Sequence, residues 1–149
     1  MVVACALGKS GRRAIKREGD GATPRGRFRL LGVLYRPDKV RRPLTRLPVR
    51  AIRPSWGWCD DSSDRNYNRE VMLPYPGSHE RLWRDDGLYD LVVVLDYNVR
   101  VRKRRAGSAI FMHVARPGYS PTEGCVALAA ADLARVLARL GPGATMTIL

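Results

Sequence analysis

The sequence lacks paired cysteines. Its three cysteines, Cys5, Cys59 and Cys125, form no Cys-x-x-Cys motif, so neither a disulfide framework nor a zinc site is indicated. At least one thiol is therefore expected to be free. Cys5 lies in the apolar run from Val2 to Leu7 and resembles a small buried hydrophobic residue, whereas its sequence context leaves the role of Cys59 undecided.

Long apolar runs are also missing. No stretch approaches the roughly 20 apolar residues that a membrane-spanning helix needs, so we expect no transmembrane segment. The segment from Met1 to Leu7 is too short for a secretory signal and has no basic leader or cleavage site. Three interpretations stay open: a signal that was already removed, export by another route, or a cytoplasmic protein.

Acidic residues are few, with 14 Asp and Glu against 27 Lys and Arg, which gives a formal net charge of +13. Such a charge is typical of nucleic-acid-binding proteins, but the arginines are spread from Arg12 to Arg139. The densest basic cluster, Arg100 to Arg105, stands where an exposed hairpin loop would follow a strand. We therefore expect no specific nucleic-acid partner, and an electrostatic association with an anionic polymer or surface instead.

The 149 residues suit one domain, 1–149, with a core that needs no disulfide or metal. Alternating or continuous apolar residues predict several strands, and Gly8 to Gly11 suits a hairpin connection between the first two. The strand from Leu88 to Asp96 is apolar enough to be buried on both faces. The predicted strands are Val2 to Leu7, Arg12 to Arg17, Gly26 to Tyr35, Leu88 to Asp96, a run carrying His113, and Ala144 to Leu149.

One amphipathic helix is predicted near the C-terminus. From Asp132 to Leu140, apolar residues recur at the helical spacing, with arginines on the opposite side. Asp132 suits the N-cap and Gly141 the C-cap, and Pro142 ends the helix. The overall pattern indicates a mainly β domain with one helix.

The segment 37–87 has weak periodicity, and prolines interrupt each candidate element. It predicts a long irregular insertion, and long ordered loops are often lids or binding surfaces. We expect it to line a substrate groove, with aromatic packing as the first role of its large side chains and substrate contact as the second. The candidates are Trp56, Trp58, Tyr67 and His79, although His79 also suits an exposed turn.

His113 and Cys125 stand at the two ends of a turn-rich link between apolar runs. Two strands that return on each other would bring the imidazole and the thiol together. His113 would then take the thiol proton as a general base or as the cation of an ion pair. Gly124 permits a sharp backbone, and the amides of Gly124 and Cys125 are candidates for an oxyanion hole. The alternative is a histidine and a cysteine that only pack in the core.

Two separated motifs carry a resemblance to a known family. The step Thr122-Glu-Gly-Cys125 after His113, with Thr23-Pro-Arg-Gly-Arg-Phe28 far upstream, resembles the L,D-transpeptidase catalytic domain of the YkuD type. The resemblance implies a β-sandwich or barrel-like fold, a Cys125 nucleophile, a His113 partner and no metal or organic cofactor. Thr122, at the Ser/Thr position of the family, would orient His113 or the loop, or act as a plain turn hydroxyl.

The same resemblance implies the substrate and the location. Peptidoglycan stem peptides would serve as donor and acceptor in cell-wall cross-linking, which bears on cell shape, and the protein would act in the periplasm or cell envelope of a bacterium. We expect a monomer. An L,D-carboxypeptidase or cross-link hydrolase would use the same acyl-enzyme with water as acceptor, and a basic binding module is the alternative from another class.

Two positions of the loop depart from the family pattern. Many members carry a histidine where Glu123 stands and an arginine where Ala127 stands. That arginine is associated with substrate recognition or oxyanion support, and Arg116 or Arg53 are the candidates to substitute for it. We therefore expect a substrate choice that differs from that of the commonest members, with Arg116 counted among the candidate substrate-binding residues.

Overall fold

The computed structural model describes all residues from Met1 to Leu149. Its regular elements are twelve strands, a short 3-10 helix and one α-helix. In chain order they are β1 (Cys5–Ala6), β2 (Arg12–Arg13), β3 (Thr23–Pro24), β4 (Gly26–Tyr35), β5 (Val49–Ala51), β6 (Trp56–Cys59), β7 (Glu70–Met72), β8 (His79–Arg81), β9 (Leu91–Leu95), β10 (Phe111–Val114), the 3-10 helix (Pro117–Tyr119), β11 (Val126–Leu128), α1 (Ala130–Leu137) and β12 (Thr145–Ile148). The mainly β fold with one helix near the C-terminus is confirmed.

A seven-stranded sheet forms the centre of the fold. Its strand order is β1-β11-β10-β9-β4-β12, and β5 also pairs with β4. A register shift between Leu30 and Gly32 divides the long β4 strand. The first half of β4 pairs with β12 and its second half with β5, while β9 lies along the other side.

The β9 strand is buried on both faces, as its continuous apolar sequence predicts. Val93 belongs to a core cluster with Leu133 and Leu137 of α1. Val92 belongs to a second cluster with Trp58 and Leu82, which come from the segment 37–87. The sheet therefore lies between the helix on one face and this segment on the other.

The segment 37–87 is more regular than its sequence predicts. It contains β5 to β8, and three of these strands form a separate antiparallel sheet in the order β7-β6-β8. Each of the four strands has a proline within three residues of one of its ends and is only three or four residues long, too short to show a clear period in the sequence. The segment covers one face of the central sheet and is held there by the second core cluster.

Two predicted connections are wrong. The β1 and β2 strands do not form a hairpin, because β1 pairs with β11 and β2 pairs in parallel with β3. Of the predicted strand from Arg12 to Arg17, only Arg12–Arg13 is extended, and Lys16 turns inward to bind Asp20. The β10 and β11 strands are also parallel instead of returning on each other.

The C-terminal helix is amphipathic as predicted, but its ends differ from the prediction. α1 begins at Ala130 and ends at Leu137, with Ala129 and Ala138 at its caps. Asp132 lies in the first turn, where its carboxylate pairs with Arg135 instead of capping the helix. The hairpin loop predicted around Arg100 to Arg105 is present between the antiparallel β9 and β10 strands. No helix in the structure combines the length and the apolar character needed to cross a bilayer.

Candidate functional site

Strand pairing places His113 and Cys125 on the same side of the central sheet. His113 pairs with Ala127 across the parallel β10 and β11 strands, and Cys125 directly precedes β11. Side chains alternate between the faces of a strand, so His113 shares a face with Phe111. Phe111 and Cys125 both belong to the core cluster that faces the segment 37–87. The two groups singled out in the sequence therefore lie on the face of the sheet that the segment 37–87 covers.

The Cys125 thiol is held by two backbone groups. Its S–H donates to the carbonyl oxygen of Ala109 at 3.2 Å, and its sulfur accepts the N–H of Phe111 at 3.4 Å. Burial raises the pKa of this thiol to about 12, and the negative charge of Glu80 acts in the same direction. The sulfur is therefore protonated near neutral pH and needs a base before it can attack.

The His113 imidazole is the candidate base for this thiol. Its Nδ1 lies 2.8 Å from the carbonyl oxygen of Val114, which can only accept, so Nδ1 carries the proton and Nε2 has the lone pair. The ring packs edge-on against Tyr89, with the ring centroids 5.4 Å apart. Burial lowers the pKa of His113, which keeps the imidazole neutral at pH 7. A neutral imidazole beside a neutral thiol favours general-base catalysis over a standing ion pair.

The Thr122 hydroxyl organises the loop before the cysteine and makes no hydrogen bond to His113. It donates to the carbonyl oxygen of Cys125 at 2.7 Å and accepts the N–H of Gly124 at 3.1 Å. The Gly124 amide is thus occupied, whereas the Cys125 amide has no hydrogen-bond partner. Of the two amides expected to form an oxyanion hole, only that of Cys125 is free in this structure.

The upstream Thr-Pro-x-Gly-x-Phe motif lies behind this loop. The buried Thr23 hydroxyl accepts the N–H of Gly8 at 2.8 Å, and Gly8 forms a bridge with Thr122. The carbonyl oxygen of Ala22 stands against Gly124, where an added Cβ would approach it to 2.7 Å. The two motifs are therefore one structural unit, in which the upstream motif sets the path of the loop that carries Cys125.

Replacing Gly124 with alanine is expected to destabilise the protein. Gly124 has φ +137° and no room for a Cβ, so strain and overlap should cost about 2 kcal/mol of unfolding free energy and lower Tm by about 4–8 °C. Gly118→Ala is the matched control, because Gly118 also has a positive φ, +76°, but nothing lies within 4 Å of its Cβ. That variant should lose only roughly 1 kcal/mol. Equal melting temperatures for the two variants would contradict this account of Gly124.

A cavity of about 250 Å³ opens beside the thiol and the imidazole. The segment 37–87, the strand ends and the cysteine loop all contribute to its wall. Its lining residues are Glu80, Arg84, Leu88, Tyr89, His113, Arg116, Ser120, Pro121, Thr122, Glu123, Cys125 and Ala127. Sequence reasoning identified His113, Arg116, Thr122 and Cys125 but missed Glu80, Arg84 and Tyr89. The only sequence signal for these three is a cluster of charged residues before a buried strand.

Two arginines lie at one side of the cavity. Arg84 makes a two-pronged contact with Asp86 and places its guanidinium 5.0 Å from the centre of the Tyr89 ring. Arg116 approaches the same Asp86 carboxylate at 3.9 Å. Ala127, at the position of the usual arginine of the family, is buried beneath them, whereas Arg53 is exposed and lies outside the cavity lining.

The other candidate residues from the sequence do not line this cavity. The Trp58 indole packs on Phe111 and donates to Asn68, and Arg50 stacks over Trp56. The Tyr67 hydroxyl donates to Glu18 and accepts the N–H of Gly107. His79 bonds to the carbonyl oxygen of Gly77 and packs against Tyr75. These side chains take part in packing and hydrogen bonding within the protein, and their contact with a substrate stays a prediction.

Glu123 stands at the rim of the cavity and forms an exposed ion pair with Lys9 at 2.9 Å. An exposed pair of this kind contributes little to stability. Cys5 is exposed on the edge strand β1, so the expectation that it is a small buried residue is wrong. Cys59 is buried, and neither cysteine forms a disulfide. No group of three or more His, Cys, Asp or Glu side chains is arranged to hold a metal ion.

A known family matches almost the whole chain. A family model described as the L,D-transpeptidase catalytic domain, YkuD, matches residues 1–148 of the chain. No protein of curated function and no solved structure matches it. The matched range includes both motifs, the cavity and every strand of the central sheet. The chain therefore belongs to the L,D-transpeptidase catalytic domain family.

Proposed function

We propose that this protein is a peptidoglycan L,D-transpeptidase, which cross-links stem peptides through a thioester on Cys125 with His113 as the base. Family membership implies a peptidoglycan substrate in the cell envelope. The observation that supports the roles of Cys125 and His113 is that a buried thiol and a neutral imidazole, positioned by adjacent strands, line one cavity. Both side chains are buried in the fold, and the cavity that they line is the space in which a substrate would reach them.

The reaction begins when the Cys125 side chain turns from the Ala109 carbonyl towards the cavity. His113 Nε2 takes the thiol proton, and the sulfur attacks the carbonyl carbon that follows the L-centre of a diaminopimelate-type residue. The Cys125 amide donates to the oxyanion that forms. When the C–N bond breaks, His113 returns its proton to the leaving amine, and a D-amino acid departs from the thioester.

The second half-reaction uses an amine from a neighbouring stem peptide. The amine attacks the thioester carbon, a new amide bond forms and the C–S bond breaks. The proton of the amine passes through His113 to the departing thiolate, which restores the thiol. No redox step or external co-reactant is needed for this balance.

Arg84 and Arg116 are suited to bind a carboxylate of the donor peptide. They share one acidic partner, Asp86, so one positive charge at this side of the cavity is not neutralised by that partner. Guanidinium groups bind carboxylates in a defined orientation. In this proposal the two arginines supply the cationic function that Ala127 cannot.

The transferase and the hydrolase share an acyl-enzyme and differ in the acceptor. We expect purified stem peptides to give cross-linked dimers as the main product, because an acceptor peptide in the groove excludes water from the thioester. Mass spectrometry of the products separates dimers from trimmed monomers. Trimmed monomers alone, at millimolar acceptor concentration, would contradict the transferase and leave the L,D-carboxypeptidase.

The basic loop supports the expected association with the envelope. None of the five Lys and Arg residues between Arg100 and Arg105 makes a salt bridge, so their charge is available to an anionic polymer. Asn98 orders this loop through bonds to Lys103 and Gly107. The association, the monomeric state and the single domain 1–149 stay predictions.

A further inference from the structure

Glu80 places a carboxylate inside the cavity with one oxygen uncommitted. It lies on β8 and lines the same cavity as Cys125 and His113. Its Oε2 accepts the Tyr89 hydroxyl at 2.7 Å, whereas its Oε1 makes no hydrogen bond. Oε1 of Glu80 is not among the buried polar atoms that lack a partner, so this oxygen stays accessible on a residue that lines the cavity.

Tyr89 holds this carboxylate in a fixed position. The tyrosine is buried, and its ring packs edge-on against Phe111 and His113. Its hydroxyl makes no hydrogen bond except the one to Glu80. The carboxylate therefore sits on a rigid support that also contacts the proposed base, so a ligand bound to Glu80 has a defined distance from the reacting groups.

The charge of Glu80 opposes formation of the Cys125 thiolate. After burial, it is the largest influence that raises the pKa of Cys125. Burial raises the pKa of Glu80 itself, and the Tyr89 hydrogen bond lowers it. The charged and titratable groups around Glu80 are Asp60, Arg84, Tyr89, His113 and Cys125, with Glu18 at longer range. Arg84 also lowers the pKa of Glu80, but its guanidinium pairs with Asp86, and no salt bridge joins Glu80 to any cationic side chain.

We propose that Glu80 binds a primary ammonium group of the donor peptide and that this ion pair removes the negative charge that opposes the Cys125 thiolate. The inference rests on the proposed function, since it assigns part of the donor. A single carboxylate with one free oxygen suits an ammonium group, which needs only one anionic partner. The donor is the fitting carrier, because the acceptor amine must be uncharged to attack.

Thiol activation thereby becomes dependent on the correct substrate. In the empty protein the sulfur remains protonated and bonded to Ala109. When an ammonium group pairs with Glu80, the pKa of Cys125 falls towards the value set by burial, and proton transfer to His113 costs less free energy. A donor without the ammonium group would occupy the cavity without this gain.

The first experiment tests the charge effect without any peptide. Glu80→Gln keeps an acceptor for Tyr89 and removes the charge, so alkylation of Cys125 by iodoacetamide at pH 8 should become about ten-fold faster, one pKa unit. Glu70→Gln makes the same charge change outside the cavity lining, where Arg50 pairs with the carboxylate, and should leave the rate unchanged. Peptide-resolved mass spectrometry reports on Cys125 alone. An unchanged rate in Glu80→Gln would overturn the coupling.

The second experiment tests the ammonium group. Two donor tetrapeptides are compared that differ only in whether the side-chain amine of the third residue is free or acetylated. The free amine should acylate the wild-type protein about ten-fold faster, and Glu80→Gln should remove this preference. A preference that persists in the variant, or that is absent in the wild-type protein, would overturn the assignment.

Failure of both peptides would count against the proposed function, and a third measurement then decides the inference by itself. Propylammonium chloride should accelerate alkylation of Cys125 in the wild-type protein relative to sodium chloride at equal ionic strength. It should have no such effect on Glu80→Gln. This comparison in the wild-type protein needs neither a variant nor a peptide substrate, and equal rates in the two salts would overturn ammonium binding.

Discussion

Cys125→Ala is expected to abolish acyl transfer while the protein stays folded. The variant removes the only thiol that lines the cavity, and no other side chain there is a comparable nucleophile. Turnover should fall by a factor on the order of 10⁴ or more, as for other enzymes that lose a covalent nucleophile. Mass spectrometry after exposure to a carbapenem, an acylating agent to which the family is expected to respond, should show added mass on Cys125 in the wild-type protein only.

The controls for this prediction come from the same chain. Cys5 is an exposed free cysteine in β1, so Cys5→Ser removes a thiol without affecting the cavity and should keep wild-type turnover. The Cys125→Ala variant loses one buried sulfur atom, and its Tm should fall by only a few degrees. Full turnover in folded Cys125→Ala would refute the acyl-enzyme on Cys125, whereas salt-dependent binding without turnover in either protein would favour a binding module.

His113→Gln is expected to reduce turnover by about 10²–10⁴-fold, the usual contribution of a general base. Glutamine has a similar volume and fills the space against Tyr89, but it cannot accept the thiol proton. His79→Gln is the matched control, since His79 also bonds a backbone carbonyl oxygen through Nδ1 but lies outside the cavity lining. Its turnover should stay within a few-fold of wild type. Equal losses in the two variants would contradict a specific role for His113.

The pH profile separates general-base catalysis from a standing ion pair. Burial lowers the pKa of His113 below the ordinary histidine value of about 6.5. The imidazole is therefore already neutral at pH 6.5 and above. The value of kcat/KM should therefore fall only when the pH drops below 6.5 and His113 becomes protonated. The residual activity of His113→Gln should not show this decrease at acidic pH. Fast alkylation of Cys125 at pH 6 would instead indicate a thiolate–imidazolium pair.

Local sequence patterns correctly predicted the elements in which burial follows a regular pattern from residue to residue. The β9 strand is apolar at every position because both of its faces are covered, and α1 shows the helical spacing because one side packs on the sheet. The pairing of β1 was predicted incorrectly. The segment from Gly8 to Gly11 suits a hairpin, but the competing partners, β11 and the backbone at Ala22, are distant in sequence.

The part of the candidate site that the sequence predicts is the loop before Cys125. Thr122, Gly124 and Cys125 are close in sequence, and their turn chemistry is local. Glu80 and Tyr89 have no such signal, because their role comes from the cavity that they face and not from their neighbours in the chain. A carboxylate in a charged segment is usually solvated, and nothing in the segment 37–87 distinguishes Glu80 from Glu70, which pairs with Arg50 at the surface.

The sequence by itself determined the two groups that we propose to react, His113 and Cys125, and the family to which their motifs point. It did so because a nucleophile loop needs particular residue types at fixed short spacings. Only the tertiary structure decided that β10 and β11 run parallel, that the segment 37–87 covers the site, and that Glu80 faces the thiol. Those features depend on free energies of pairing and burial between distant residues, which no local pattern records.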